Sequence, residues 1–523
     1  MTGWLCGYNI PQETLIHFIL DPSSEIPPAR LLPEVWLAGF LNSGLGLGET
    51  GRLISSSLQQ AGVPVVTHAW AKTDIGTVPF TTGCIPESPS ARPSATAGLS
   101  LLSLNGDHLA SFINSGGKVF FEGRYVISIW FWELEELPPE MVEGFKLVDE
   151  VWAATPFIQN ALLRHSGTVP VRRFNHPIQI PKGTEEAARE RFPFEGRFVF
   201  LFTFDYQSCA KRKNPQGVCE AFAHAFPEPV LCGPLCVIKS INAALHPIDR
   251  ALLQYRWSHR PDIIFLDEFL SAEDRDLLTW RADACVSLHR AEGLGLTLME
   301  GMALGKPCIA TGYSGNLAFM SSENSWLIPF TMIPVGQGSL HYPADQFWAE
   351  PDVKAAASAM REIQTLSPEV LAKARAGQVY VNEHHNPLAC GRELATLISE
   401  AAEKAPRPRK PLSSGRSAAY SALADLREKS KEKTDVNVRP WNLPSAIKSL
   451  RREAAQVSRA ERTAISETLT ALKHSEKRYR TNAAVLKRRI ELLTDQVNEL
   501  ISLLLPPNTI NPPSGRSQDT APD

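Results

Sequence analysis

Short apolar runs alternate with amphipathic segments along the first part of the chain. The apolar spacing of "ETGRLISSSLQQAG" and "PFIQNALLRHSG" predicts helices, whereas strands are predicted at "VWLAGF", "VPVVTHAW", "LSLLSLN", "KVFFEG", "YVISIWFW" and "EVWAATP". Such alternation indicates a parallel sheet with helices on both faces. Because "NHPIQIPKG" interrupts the pattern, we predict a first domain at residues 1–185.

A second alternating series begins at "RFVFLFTFD". Further strands are predicted at "LCVIKS", "DIIFLDEF", "ACVSLH" and "PCIATG", and helices at "NPQGVCEAFAHAF", "SAEDRDLLTWRA" and "LTLMEGMALG". The pattern stops near Lys404, which indicates a second β/α/β domain at residues 186–404. A ligand is expected in the cleft between the two domains, at the carboxyl ends of the strands.

The remainder of the chain has a different composition. Residues 405–440 are rich in Pro, Ser and basic residues and are predicted to be a linker. Apolar residues recur every 3.5 positions over 441–505, which predicts a coiled coil that joins copies of the chain into a homo-oligomer. The alternative is one amphipathic helix that folds back on the rest of the chain. Residues 506–523 are predicted to be disordered.

Composition narrows the compartment and the partners. A formal charge of -3 over 523 residues does not favour nucleic acid as a partner. Nine scattered cysteines, several of them in apolar runs, are typical of free thiols in a reducing compartment. The sequence has neither a signal peptide nor the roughly 18 apolar residues of a membrane span. A cytoplasmic location is therefore predicted, with the basic linker as a candidate peripheral contact to the inner face of an anionic membrane.

One glycine-rich segment is similar to a phosphate-binding P-loop. In "GMALGKPC", however, three residues rather than four separate Gly301 from Gly305, and a proline follows Lys306. The P-loop needs four residues there and Ser or Thr after the lysine. This interpretation is therefore excluded.

A second glycine-rich segment, "NSGLGLGETG", lies between a predicted strand and a predicted helix. Its Gly46-x-Gly48-x-x-Gly51 spacing is that of a dinucleotide-binding fingerprint. Thr67 and His68 stand where that fingerprint requires an acidic residue at the end of the next strand. An NAD-dependent oxidoreductase is therefore kept as an alternative, although glycines at a helix start do let backbone amides approach an anion closely.

The stretch "HRAEGLGLTLMEGMALG" carries two glutamates and a helix start. Glu292 lies in the loop that follows the predicted strand "ACVSLH", and Glu300 lies in the first turns of the next helix. The amides of Leu296 and Thr297 can bind a diphosphate at the positive end of the helix dipole. Since carboxylates repel that anion, both should accept hydrogen bonds from sugar hydroxyls. The alternative makes Glu300 a solvated helix residue and Glu292 a cap.

Glu292-x7-Glu300, within "HRAEGLGLTLMEGMALGKPCIATGYSG", resembles the signature of retaining GT-B glycosyltransferases of family 4. "FDYQSCAKRKNPQGVCEAF" is similar to that family's donor-phosphate segment, and "GLGLGETGR" to its N-terminal glycine loop. "WFWELEELPPEM" and "VDEVWAATPFIQNAL" are similar to a bacterial subgroup that acts on surface polysaccharides. The resemblance covers roughly residues 33–400 and implies an α/β GT-B fold, with two Rossmann-like domains facing a cleft.

The resemblance implies roles for donor-side residues. Glu300 would bind the donor ribose, Glu292 the transferred sugar, and Lys213 the diphosphate, where negative charge grows on the leaving group. Most members have an arginine where this chain has Ser208, so Arg212 or Lys239 would supply the second positive charge. Lys239 is equally well interpreted as an ordinary strand-end lysine. The remaining implied donor-binding residues are Gly46, Gly48, Glu268, Leu270, Gly295, Leu296 and Thr297.

Three polar residues at predicted strand ends of the first domain face the cleft. Asn105, Asp107 and Glu133 are predicted to position an acceptor hydroxyl. Many family members have a histidine in the Glu133 region. The neighbouring Trp130 and Trp132 are more typical of a core than of a sugar platform.

The resemblance implies a retaining hexosyltransferase that moves a sugar from a nucleotide diphosphate sugar to a glycan or lipid-linked glycan in surface polysaccharide synthesis. The leaving diphosphate would take the acceptor proton on the same face of the sugar. Because no Asp-x-Asp occurs in a suitable position, no metal is expected, and no cofactor is expected beside the donor substrate. A catalytically inactive nucleotide-sugar-binding scaffold is the second alternative.

Overall fold

The computed structural model describes residues 32–405 except 45, 71–97, 231, 338, 340 and 341. The predicted linker beyond Ala405, the coiled coil at 441–505 and the tail at 506–523 lie outside the described residues. Oligomerisation and membrane contact through these segments therefore stay predictions. Among the helices of the described part, none combines the length and the apolar character that crossing a membrane requires.

The first sheet contains six parallel strands in the order β2-β1-β3-β4-β5-β6. Every residue of β1 and β3, at the centre, is buried, as expected for parallel strands covered on both faces. The strands are Val35–Gly39 (β1), Val65–Ala69 (β2), Leu99–Ser103 (β3), Tyr125–Ile129 (β4), Glu150–Ala153 (β5) and Val171–Arg173 (β6).

The second sheet also contains six parallel strands, in the order β12-β11-β10-β7-β8-β9. Its strands are Val199–Asp205 (β7), Leu235–Ile241 (β8), Ile263–Leu266 (β9), Ala284–Ser287 (β10), Cys308–Thr311 (β11) and Trp326–Ile328 (β12). Two parallel sheets built from alternating strands and helices confirm the predicted α/β architecture.

The helices that connect the strands begin largely at residues suited to helix starts. Thr155, for example, accepts a hydrogen bond from the amide of Ile158, and Pro156 follows it at the first helical position. The helices are Gly46–Gln60 (α1), Gly106–Asn114 (α2), Pro139–Gly144 (α3), Pro156–Leu163 (α4), Glu185–Arg191 (α5), Ala210–Lys213 (α6), Pro215–Ala225 (α7), Pro247–Arg256 (α8), Ala272–Arg281 (α9), Leu296–Ala303 (α10), Val353–Gln364 (α11), Pro368–His384 (α12) and Pro387–Lys404 (α13).

Short 3₁₀ helices fill several connections, and one of them corrects a predicted strand. The prediction of a strand at "KVFFEG" is wrong, because Gly117–Phe120 is a 3₁₀ helix. Gly116, with a φ of 107°, turns the chain at its start, and Phe120 and Phe121 are both buried. In a strand, two successive phenylalanines would have pointed to opposite faces. The other 3₁₀ helices are Phe145–Leu147, Phe194–Gly196, Tyr206–Ser208, Ala243–Leu245 and Gly315–Ala318.

An antiparallel hairpin, which the sequence pattern did not predict, follows the second sheet. Its strands Phe330–Pro334 (β13) and Phe347–Pro351 (β14) pair over five residues each. Between them, Tyr342 is buried and lies 5.4 Å from the ring of Trp132, which belongs to the first half of the molecule. The hairpin therefore contacts both halves.

The chain crosses between the two halves at two neighbouring places. The first crossing follows β6, and the second joins α12 to α13, which packs on α1 of the first half. There the amide of Ile178 donates to the carbonyl of His385 at 3.0 Å, and Nδ1 of His385 bonds the carbonyl of His176 at 2.9 Å. Hydrogen bonds thus hold the two crossings side by side.

Candidate functional site

The segment after β7 carries the two cations nearest to Glu292. Cys209, with a φ of 66°, starts the short helix α6, and Asn214, with a φ of 56°, ends it. The Asn214 side chain donates to Leu288 O at 2.9 Å and accepts from the amide of Gly217 at 3.0 Å. Lys213 is therefore held on a short helix that is tied to the end of β10.

The loop that carries Glu292 is fixed by the loop after β11. The amide of Glu292 donates to Ser314 Oγ at 2.8 Å, and the amide of Gly315 donates to Glu292 O at 2.8 Å. A Cβ at position 315 would lie only 1.9 Å from Gly293 O, so only glycine fits there. This close contact sets the backbone on which Glu292 stands.

Glu292, Lys213 and Arg212 form one charge cluster, in which Arg212 is buried and the other two are partly buried. Lys213 Nζ lies 2.5 Å from Glu292 Oε2, and Arg212 Nη1 lies 3.7 Å from the same oxygen. Burial by itself would raise the pKa of Glu292, but Lys213, Arg212 and His289 outweigh it and lower that pKa to about 2. Glu292 is therefore a carboxylate, available as a hydrogen-bond acceptor, throughout the neutral range.

The helix start next to Glu292 leaves backbone donors in place for an anion. Gly295, with a φ of 101°, precedes α10, and the first intrahelical bonds run from Leu298 N and Met299 N to Gly295 O. The amides of Leu296 and Thr297 precede these bonds, as expected for the first positions of a helix. They can therefore donate to a bound phosphate.

Glu300 has surroundings unlike those of Glu292. Its carboxylate makes no hydrogen bond or ion pair with any other residue that the structure describes. Burial raises the pKa of Glu300 to about 7; nearby Arg275 opposes this shift, whereas Glu49 and Asp276 add to it. Glu300 can therefore accept a hydrogen bond without first breaking one inside the protein.

The structure brings Arg212, and not Lys239, to Glu292. The guanidinium of Arg212 donates to Ala291 O at 2.7 Å and to Ser208 O at 3.2 Å. Lys239 is buried in β8, where its Nζ donates to Glu268 O at 2.7 Å and to Ser240 O. Burial lowers the pKa of Lys239 to about 8, against the opposing charges of Asp267 and Glu268. Of the two candidates for the second positive charge, only Arg212 joins the cluster.

The segment after β9, which carries the implied donor-binding residues Glu268 and Leu270, is partly held by its own contacts. Asp267 accepts from Ser240 Oγ at 2.6 Å and from Gln254 Nε2 at 2.8 Å. Leu270 is buried. The side chains of Glu268 and Phe269 are exposed, that of Phe269 to 54%. The groups that remain open to a ligand here are Glu268 and Phe269.

The glycines of the first loop differ in what they contact. A Cβ on Gly48 would lie 2.4 Å from Phe40 O and 2.9 Å from Ser43 O, whereas one on Gly46 would meet nothing within 4 Å. Gly48 thus lets α1 pack on the preceding loop. Gly46 leaves the space at the helix start open, where a ligand could approach the amides.

The three residues predicted on the acceptor side have different surroundings. Asn105 donates to Phe131 O at 3.0 Å and accepts from Phe131 N at 2.8 Å, so both ends of its amide bond the backbone. Asp107 lies in the first turn of α2, 3.6 Å from His108 Nε2. Glu133 accepts from the hydroxyl of Tyr342 at 2.9 Å and lies 3.7 Å from Arg212. Glu133 thus faces the charge cluster of the second half.

The sequence analysis assigned no role to His289 or Tyr342. His289 is buried, with Nδ1 3.0 Å from Ser287 Oγ and Nε2 3.1 Å from Asn316 Oδ1. Burial lowers the pKa of His289 to about 4, so the ring is neutral near pH 7. No local signal could have linked Tyr342 to Glu133, because 209 residues separate them in the chain.

Trp130 and Trp132 are core residues, as the sequence favoured, since they are 0% and 4% exposed. Lys306 donates to Trp280 O at 2.9 Å, which agrees with the exclusion of a P-loop.

All seven cysteines that the structure describes are free, and Cys232 is exposed, unlike the other six. Within the described ranges, His, Cys, Asp and Glu side chains form no group of three that could hold a metal ion.

Residues 239–332 match the family model described as "Glycosyl transferases group 1". The matched segment contains Glu292 and Glu300, whereas Lys213 lies before it. No curated protein matches the sequence.

Solved structures show the fold to which the chain is similar. The sucrose-phosphate synthase of Thermosynechococcus elongatus aligns with a TM-score of 0.52 at 15% identity, over 71% of this chain and 100% of that one. A glycosyltransferase of Rickettsia africae aligns with a TM-score of 0.51 at 13% identity, over 71% of this chain and 99% of that one. The two facing sheets and these alignments establish the GT-B fold.

Proposed function

We propose that the protein is a retaining hexosyltransferase. It takes a sugar from a nucleotide diphosphate sugar and transfers it to a glycan or lipid-linked glycan acceptor in surface polysaccharide synthesis. The observation that carries the proposal is the partly buried Lys213–Glu292 pair, 2.5 Å apart, beside a helix start with amides for an anion. Glu292 also lies inside the segment that matches the group 1 glycosyltransferases.

The charge cluster suits a reaction in which a diphosphate leaves. As the bond between the anomeric carbon and the diphosphate oxygen breaks, negative charge grows on the diphosphate. Lys213 and the amides of Leu296 and Thr297 stabilise that charge without having to reorganise, because the fold holds them in place. The acceptor oxygen bonds the anomeric carbon on the same face, and its proton passes to the diphosphate.

The two glutamates take different parts of the donor in this proposal. Glu292, ionised and held by Lys213 and Arg212, accepts hydrogen bonds from the transferred sugar. Glu300, whose carboxylate makes no hydrogen bond within the described residues, accepts from the ribose. Because Glu133, a predicted acceptor-side residue, lies beside this cluster, the proposal puts the acceptor close to the junction of the two halves.

The first test identifies the donor by binding. A thermal-shift screen of UDP, GDP and dTDP and of their sugars should raise the melting temperature for one nucleotide series, because a ligand that binds the folded state stabilises it by mass action. Absence of a shift with every nucleotide, confirmed by calorimetry at millimolar ligand, would refute a nucleotide-sugar donor.

The second test follows the stereochemistry. With the donor known, proton NMR of the product should show the same anomeric configuration as in the donor. An inverted product would overturn the retaining mechanism while leaving the transferase proposal in place.

A further inference from the structure

The junction of the two halves contains a chain of polar contacts that ends at Glu292. The hydroxyl of Tyr342 donates to Glu133 Oε2 at 2.9 Å. The other oxygen of Glu133 lies 3.7 Å from Arg212 Nη2, and Arg212 Nη1 lies 3.7 Å from Glu292 Oε2. A tyrosine of the hairpin and a glutamate of the first half thus act on the arginine beside Glu292.

Arg212 lies too deep in the protein to be a surface ligand. Its side chain is only 4% exposed, and its ring-face contact is with Tyr342, 5.7 Å from the ring centre. Burial disfavours the guanidinium charge, but Tyr342, Glu133 and Glu292 hold the pKa of Arg212 above its usual range. Arg212 thus stays charged because carboxylates from both halves surround it.

The hairpin that carries Tyr342 is itself anchored to the segment of Arg212. Arg290 donates to both oxygens of Glu350 in β14, at 2.6 and 3.0 Å, and its amide donates to Arg212 O at 2.7 Å. These bonds fix the distance between Tyr342 and α6, so that the position of the tyrosine hydroxyl is defined relative to Arg212.

We propose that Tyr342 and Glu133 are positioning residues that orient Arg212, which in turn orients the Glu292 carboxylate towards the transferred sugar. This inference rests on the proposed function. It gives the first half and the hairpin a part in the sugar subsite of the donor, separate from the groups that the proposed function assigns to the nucleotide, which are Glu300, Lys213 and the helix-start amides. The effect of losing Tyr342 should therefore appear with nucleotide sugars and not with nucleotides.

The test compares Tyr342→Phe with Tyr125→Phe in the full chain. Both changes remove a hydroxyl that donates to a carboxylate, since Tyr125 bonds Glu150 Oε2 at 3.0 Å at the start of β4, the strand end opposite to the candidate site. Calorimetry with the nucleoside diphosphate and the nucleotide sugar gives two affinities for each protein. Loss of one hydrogen bond to a charged group leads us to expect nucleotide-sugar affinity about 5- to 20-fold weaker in Tyr342→Phe.

Three further results decide the inference. Nucleoside diphosphate affinity should change by less than about twofold in Tyr342→Phe, and neither affinity should change in Tyr125→Phe. Glu133→Gln, which keeps the size of the side chain and removes its charge, should repeat the selective loss. The positioning role would be overturned if Tyr342→Phe weakened the affinities for nucleotide and nucleotide sugar equally. It would also be overturned if neither Tyr342→Phe nor Glu133→Gln weakened the affinity for the nucleotide sugar. If the unaltered protein binds no nucleotide, the proposed function fails first, and this inference fails with it.

Discussion

The carboxyl edges of the two sheets have the same architecture and very different chemistry. At the edge of the second sheet, the charged atoms of Lys213 and Arg212 lie 2.5 and 3.7 Å from Glu292 Oε2. At the edge of the first sheet, the Asn105 side chain is bonded to the backbone of Phe131. Six parallel strands therefore do not by themselves make a binding edge.

The difference between the two edges lies in the charge and the burial of the side chains that each edge carries. Charged groups persist in a buried cluster only when opposite charges and hydrogen bonds compensate their desolvation. The second edge meets this condition with two cations and Glu292, and the remaining carboxylate, Glu133, comes from the first half. The first half thus contributes to the site mainly by completing the charge balance of the second.

The largest expected effect is on the transfer rate, when a charged residue at the edge of the second sheet is replaced. If the proposed function holds, Lys213→Ala and Glu292→Ala should each lower the transfer rate at least about 100- to 1,000-fold, because each removes the group proposed to face developing charge or the transferred sugar. The measurement is product formation at saturating donor, with folding verified by circular dichroism.

Lys211→Ala is the matched control for Lys213→Ala. Lys211 lies two residues away on the same short helix, and its Nζ bonds the carbonyl of Gln337 instead of Glu292. The transfer rate of Lys211→Ala should stay within about threefold of that of the unaltered protein. Similar losses of transfer rate in Lys211→Ala and Lys213→Ala would show that any change in helix α6 impairs the protein. The contact of Lys213 with Glu292 would then not explain the difference between the two edges.

An intermediate effect, on stability, is expected at the first edge. Asn105→Ala leaves the amide and the carbonyl of Phe131 without their partner, which should cost about 1–3 kcal/mol of unfolding free energy. Urea denaturation measures this cost, and nucleotide affinity should stay within about twofold. If Asn105→Ala instead abolished nucleotide binding at unchanged stability, the first edge would belong to the donor site.

The smallest expected effect concerns Glu300, and it depends on pH. Its pKa rises from 4.5 to about 7 in the folded protein, so between these values the folded state binds more protons than the unfolded state, and stability falls as pH rises. Glu300→Gln removes this titration. Its stability relative to the unaltered protein should therefore be greater by about 1–2 kcal/mol at pH 8 than at pH 5.

Thermal or urea unfolding at the two pH values tests this expectation. Glu292→Gln serves as the contrast, because the pKa of Glu292 is lowered to about 2, and its carboxylate contributes stability that is lost only as pH falls from 4.5 towards 2. A pH-independent difference for Glu300→Gln would mean that this carboxylate is ionised as easily in the folded protein as in the unfolded one.

The alternating pattern was sufficient to predict most strands of both sheets and the helices α1, α4, α7, α9 and α10, but not α2, α3 and α8. It failed where side chains did not alternate or were too polar to be recognised. "KVFFEG" was apolar enough for a strand but forms a 3₁₀ helix after Gly116, and β6 is only "VRR". The hairpin β13–β14 was missed because its first strand is largely exposed, so no buried face marks it in the sequence.

The site could be predicted only as far as local sequence reaches. The loop position of Glu292 and the helix start at Leu296 follow from residues within one short stretch, and the structure shows both. The choice between Arg212 and Lys239 depended on side-chain direction, which spacing does not define. The contact of Tyr342 with Glu133 depends on how the two halves and the hairpin meet, and no local pattern encodes that.

The paired crossings at His176 and His385 also limit how the molecule can move. The two connecting segments are hydrogen-bonded to each other and therefore act together as one hinge. Sliding or twisting of one half on the other would strain the hydrogen bonds between the two segments. Rotation about the line through both segments is therefore the easiest motion. Any opening that admits a donor would therefore follow a single axis through the two crossings.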